Sequence, residues 1–159
     1  MEPRLDYVKA SPDSFRAVWT LEQFVSHDAD IDRRLLHLLK IRASQINGCA
    51  FCVDMHVKEA RKDGLGDQWL ALIAAWRESP VYTVRERAVL AWVEALTNVA
   101  QTGAPDEDFQ ALKPHFTDEE ITNLTVAIGT INLWNRIAVG FRSQHEVDPT
   151  DQVGAHQPG

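Results

Sequence analysis

Two cysteines occur in the 159-residue chain, within the run Cys49-Ala50-Phe51-Cys52-Val53-Asp54-Met55-His56. This C-x-x-C-x-x-x-H spacing falls on a stretch of helical periodicity, where about 100° per residue keeps the three side chains within about 60° of one another. Two sulfurs three residues apart near a helix start can reach the β-carbon separation of about 4 Å that a disulfide requires. A bridge closing so short a loop adds little stability through chain entropy, so the pair reads as redox-active or metal-binding rather than structural. Free amides at the helix start favour a thiolate, and His56, one turn beyond Cys52, can take its proton or stabilise the anion. Cys52 is the better-placed nucleophile. Cys49, nearer the helix terminus, would then resolve a sulfenic acid on Cys52 by forming the intramolecular disulfide.

Other uses of the same residues are weaker. A structural zinc site wants four ligands, and two thiolates with one imidazole leave it short. Covalent haem attachment requires histidine directly after the second cysteine, where Val53 stands. A thioredoxin-type C-x-x-C belongs beside a βαβ pattern, which this chain lacks. Taken singly, the cysteines are ordinary small buried residues and His56 an ordinary helical histidine; their joint spacing carries the chemical reading. No metal or cofactor is expected.

The elements that must position these residues are all helical, and no sustained apolar–polar alternation argues for a strand. A first helix is expected from Ser11 as cap, with Pro12 in its first turn, to about His27. A second runs from about Asp30 to Ile46 and is interrupted by Asn47-Gly48, directly before the first cysteine. The third spans about Cys49 to Lys62 and stops at Asp63-Gly64. A fourth covers Asp67 to Trp76. Thr83-Val84-Arg85-Glu86 and Thr117-Asp118-Glu119-Glu120 are capping boxes, opening helices that reach about Ala100 and Phe141, with a short helical piece from Pro105 to Leu112 between them. Residues 1–142 thus read as one all-α domain, and residues 143–159 as a polar tail. The helices that follow the two capping boxes carry apolar residues round more than one face, which points to a homo-oligomer.

Composition narrows the partners. With 16 basic against 23 acidic side chains the net charge is −7, which repels a phosphate backbone, so nucleic acid is not expected. No apolar run approaches the roughly 18 residues of a spanning helix, and the opening Met1-Glu2-Pro3-Arg4-Leu5-Asp6 lacks the order of a signal peptide. A cytoplasmic protein without a membrane partner is expected.

The run from Leu36 to His56, His37-Leu38-Leu39-Lys40-Ile41-Arg42-Ala43-Ser44-Gln45-Ile46-Asn47-Gly48-Cys49 included, closely resembles the alkylhydroperoxidase D-like branch of the carboxymuconolactone decarboxylase-like superfamily. Lys58-Glu59-Ala60-Arg61 continues the pattern, and the later helices fit in length and order. The resemblance implies an all-helical AhpD-like bundle assembled as a trimer or hexamer, and cofactor-free thiol peroxidase chemistry. Cys52 would attack the hydroperoxide, Cys49 would resolve it, His56 would relay protons, and an external dithiol or protein reductant would restore the thiols. The branch also places a relay glutamate twelve positions before the first cysteine, and here that position is His37. A neutral imidazole can pass a proton as a carboxylate does, and a protonated one would stabilise the thiolate, so the pH dependence should differ. A redox sensor or disulfide-exchange protein of the same fold, without efficient turnover, is the alternative.

Overall fold

In the computed structural model, which describes residues 1–151, every regular element is a helix. The chain enters through α1 (Tyr7–Ala10), α2 (Pro12–Gln23) and a π turn (Phe24–Asp28), then passes to α3 (Arg33–Ile46) and α4 (Ala50–Lys62). It continues through α5 (Asp67–Ala71), a 3-10 segment (Ile73–Glu78), α6 (Val84–Thr97), α7 (Val99–Thr102), α8 (Asp106–Leu112) and α9 (Asp118–Phe141). Helix α3 is the hub and packs on α4, α6 and α9. Its Leu38, Leu39 and Ile41 are fully buried, together with Leu90 and Val93 of α6 and Ile128 and Ile131 of α9. No helix among the described residues is long and apolar enough to cross a membrane.

The elements start where local chemistry says they should. Asp32 caps α3 by accepting from the amides of Arg34 and Leu35, and both threonine capping boxes are formed, Thr83 with Glu86 and Thr117 with Glu120. The turn from α3 to α4 matters most for function. Gly48 sits at φ +64°, its amide bonds to the Gln45 carbonyl at 3.2 Å, and the Cys49 amide bonds to Ser44 at 2.9 Å, which is a Schellman cap. Cys49 is therefore the last residue of one helix cap and, with extended φ and ψ, the N-cap of the next helix.

The structure departs from the sequence expectations at several element boundaries. A short α1, capped by Asp6, precedes the first expected helix, whose final turn widens into the π turn. The expected helix from Asp67 to Trp76 breaks at Leu72, and the one expected to reach Ala100 stops at Asn98, whose side chain bonds back to the Glu94 carbonyl at 3.1 Å. Helix α3 begins at Arg33 rather than Asp30, because Asp30 has φ +50° and Asp32 supplies the cap. The apolar residues of α6 are largely covered within the chain, Val84 being the exposed exception, whereas α9 leaves Leu133 and Val139 open. Of the expected tail, residues 144–151 are exposed and hold one 3-10 turn (Pro149–Asp151), and residues 152–159 lie outside the described residues.

Candidate functional site

The Schellman cap delivers Cys49 to the first turn of α4, and Cys52 follows one turn on. The two are joined as a disulfide with their Cα atoms 5.4 Å apart, inside the range such bridges span. Both cysteines are only 2% exposed, and they pack on Phe51 and Ala138. The turn that carries them is pinned from α9. The Asn47 amide donates to Asn132 and Asn135, both at 2.9 Å, and the Asn135 amide donates to the Ser44 hydroxyl at 2.9 Å. Asn135 is 1% exposed, and these bonds satisfy its buried amide.

Beside the bridge lies a cavity of about 460 Å³ bounded by α1, α2, the π turn, α3, α4 and α9. Cys52 lines it and Cys49 does not, so the two sulfurs are inequivalent toward anything the cavity holds. Tyr7, Phe15, Trp19, Phe51, Met55 and Trp134 form an aromatic and thioether wall. The polar wall includes the charged and titratable groups of Glu22, His37, Lys40, His56 and Glu59, with His27 and Arg33 beside them. All four residues singled out from sequence are thus near one place: Cys52, His56 and His37 on the cavity surface, and Cys49 bonded behind Cys52.

Each imidazole is tied to a carboxylate. His56 Nδ1 pairs with Glu59 Oε2 at 2.9 Å, and His37 Nε2 pairs with Asp63 Oδ2 at 2.6 Å. The histidines are 5% and 6% exposed. The hydrogen bond from His56, against some burial and with help from Lys40 and His37, holds the Glu59 carboxyl below its ordinary range. The hydrogen bond from His37 and that from Arg33 do the same for Asp63. A buried ion pair completes the polar wall: Lys40 Nζ donates to Glu22, which also accepts from Ser26 Oγ at 2.7 Å and Trp134 Nε1 at 3.0 Å. Burial pushes the Glu22 carboxyl up, but Lys40 and these donors outweigh it and leave the group below its ordinary range.

Glu22, Lys40, Glu59, Asp63 and Trp134 were not drawn into the site by sequence reading. Glu59 lies three residues after His56, a helical neighbour spacing that was available. Asp63 stood out only as part of a helix stop. The Glu22–Lys40 pair joins different helices and has no local signal. Among the described residues no three His, Cys, Asp or Glu side chains are placed to share a metal ion.

The sequence profile of the carboxymuconolactone decarboxylase family matches residues 12–95, from α2 into α6, a stretch that holds both cysteines and the two buried cavity histidines, His37 and His56. The chain belongs to that family. YdfG of Bacillus subtilis (strain 168), itself uncharacterized, is 35% identical over 141 residues, covering 89% of this chain and 95% of YdfG. The crystal structure of ATU0492 from Agrobacterium tumefaciens, a protein of unknown function provisionally assigned to antioxidant defence as AhpD, superposes with a TM-score of 0.90 at 61% identity, over 92% of this chain and 100% of that one. The debrominase Bmp8, in its apo form, shares the fold alone: TM-score 0.79 at 21% identity, covering 87% of this chain and 74% of that chain. The protein is therefore an AhpD-like member of its family, all-helical and carrying the cysteine pair.

Proposed function

We propose that this protein is a thiol-dependent hydroperoxidase. The observation that carries the reading is the asymmetry of the cysteine pair: Cys52 faces a cavity with two buried histidines on its wall, and Cys49 is bonded behind it, away from that cavity. In the reduced protein the Cys52 thiolate attacks the terminal oxygen of a hydroperoxide. The O–O bond breaks, sulfur keeps the hydroxyl as a sulfenic acid, and the departing alkoxide takes a proton from His56 or His37. The Cys49 thiol then displaces water from the sulfenic acid to form the disulfide, and an external dithiol or protein reductant returns both thiols by exchange. The helix start and the imidazoles favour the thiolate. Leu133, Val139 and Trp19 support a homo-oligomer, since all three are exposed apolar side chains.

The test is single-turnover oxidation of the reduced, metal-free protein by cumene hydroperoxide, with free thiols counted against peroxide consumed. Two thiols lost per peroxide, abolished in Cys52→Ser, is the expected result. In Cys49→Ser a sulfenic acid should persist on Cys52 and react with a dione probe. Thiols that stay reduced in excess peroxide would overturn the proposal.

A further inference from the structure

The two histidines are held through opposite nitrogens. His56 uses Nδ1 for Glu59, whereas His37 uses Nε2 for Asp63. His37 also has an unusual location, because it lines the redox cavity and a second pocket of about 370 Å³ whose wall includes Asp63. Asp63 borders that second pocket and not the redox cavity. The His37 ring is thus part of the partition between the two spaces, with one nitrogen bonded to a carboxylate that belongs to the outer side.

We propose that Asp63, which lies outside the cysteine motif, is a positioning residue for the proton chemistry of the redox cavity. This rests on the hydroperoxidase reading above. Asp63, anchored by Arg33 at 2.9 Å, accepts from Nε2–H of His37 and so fixes the neutral ring in the tautomer whose Nδ1 is the proton acceptor. The proton balance closes within the site. Nδ1 takes the proton of the Cys52 thiol, the imidazolium is stabilised by the Asp63 carboxylate, and the same proton passes to the alkoxide released when the O–O bond breaks. No proton is gained or lost overall, and the two electrons come from Cys52 sulfur. The other charged or titratable groups around His37 are Arg33, Arg34 and Lys40 on its own helix, Glu22 and His27 from α2 and the π turn, and His56 and Glu59 on α4. Asp63 is the one that bonds the ring directly.

The experiment compares wild type, Asp63→Asn, Asp63→Glu, His37→Gln and the His37→Gln/Asp63→Asn double variant in single-turnover oxidation by cumene hydroperoxide. The ¹⁵N imidazole spectrum of His37 in the reduced protein is recorded beside the rates. Asparagine can donate to Nε2 and reverse the tautomer, so Asp63→Asn should slow thiol oxidation about tenfold or more, while Asp63→Glu should stay within about threefold of wild type. The double variant should be no slower than His37→Gln, and the Nε2–H signature of His37 should be present in wild type and lost in Asp63→Asn. A wild type whose thiols resist peroxide overturns the hydroperoxidase reading and this proposal with it. A wild type that reacts, with Asp63→Asn within about twofold of it or with the two losses multiplying in the double variant, overturns the role of Asp63 alone.

Discussion

The buried pair of Lys40 and Glu22 gives the sharpest test of how the cavity wall is held. Their side chains are 7% and 14% exposed, so the weak energies of surface ion pairs do not apply. In Lys40→Met the cation is replaced by an apolar chain of similar length, and Glu22 keeps two donors, Ser26 Oγ and Trp134 Nε1. Removing one member of a buried pair costs about 3–5 kcal/mol, and the surviving donors place this case at the low end, about 3 kcal/mol. For a chain of this size that corresponds to a Tm lower by about 6–12 °C. The pH dependence has a definite sign. In wild type the Glu22 carboxyl lies below its ordinary value, so its contribution is present above the unfolded carboxylate pKa and is lost as pH falls through the folded one. In Lys40→Met only burial and two neutral donors act on Glu22, its pKa rises, and the deficit is largest at neutral pH and shrinks as the carboxyl protonates towards about pH 4. Urea unfolding of wild type, Lys40→Met and Glu22→Gln/Lys40→Met at both pH values measures this. The double variant should recover at least about half the loss, since a neutral amide oxygen still accepts from Trp134. A Lys40→Met deficit under about 1 kcal/mol at pH 7, or a double variant no more stable than the single, would refute the reasoning.

Gly48→Ala should cost about 1 kcal/mol in urea unfolding and shift the thiol–disulfide equilibrium of the pair; a Cβ there meets nothing within 4 Å, so the strain of φ +64° is the whole effect. Asn135→Ala strips a partner from the Ser44 hydroxyl and from the Asn47 amide, and an expected loss of about 2 kcal/mol should be accompanied by faster disulfide exchange, read by thiol titration. Glu59→Ala should slow single-turnover thiol oxidation about tenfold by freeing His56, whereas Glu59→Gln, which can still accept from Nδ1–H, should retain most of the rate. Trp19→Ala removes part of the apolar wall and should raise KM for cumene hydroperoxide while leaving the rate with hydrogen peroxide unchanged.

Much of the fold was legible because its signals are local. Both threonine capping boxes, the stop at Asn47-Gly48 and the apolar stripe of α3 each depend on residues within one or two turns, and the structure forms all three. The break after α5 and the π turn have a different cause. The segment after α5 leaves the α-helical path where Arg87 of α6 reaches over to accept-side groups, donating to the carbonyls of Trp76 and Ser79 at 2.9 Å and of Arg77 at 2.6 Å. The π turn likewise carries Ser26, which bonds Glu22 and receives Lys40 Nζ at 3.3 Å. In both places partners distant in sequence override the local helical preference. The apolar faces of α6 are covered within the chain by α3, α8 and α9, contacts that local periodicity does not reveal.

The candidate site divides along the same line. Cys49, Cys52 and His56 sit on one short helix, so spacing alone placed them together, and the cavity asymmetry between the sulfurs follows from the cap that ends α3 and starts α4. His37 reaches the cavity from a different helix, and only the family resemblance pointed to it. Its substitution for a glutamate changes what a neighbour must supply. A carboxylate can serve as proton acceptor with either oxygen, but an imidazole has one donor and one acceptor nitrogen, and something must fix which is which. Asp63 meets that need by bonding Nε2, and Glu59 does so at Nδ1 of His56. The two carboxylates are placed differently: Glu59 lines the cavity beside His56, whereas Asp63 lies outside it, behind the His37 ring. Under the proposed proton chemistry, a histidine at position 37 needs an anion bonded to one nitrogen so that the other is left as the acceptor, and Asp63 is placed to be that anion.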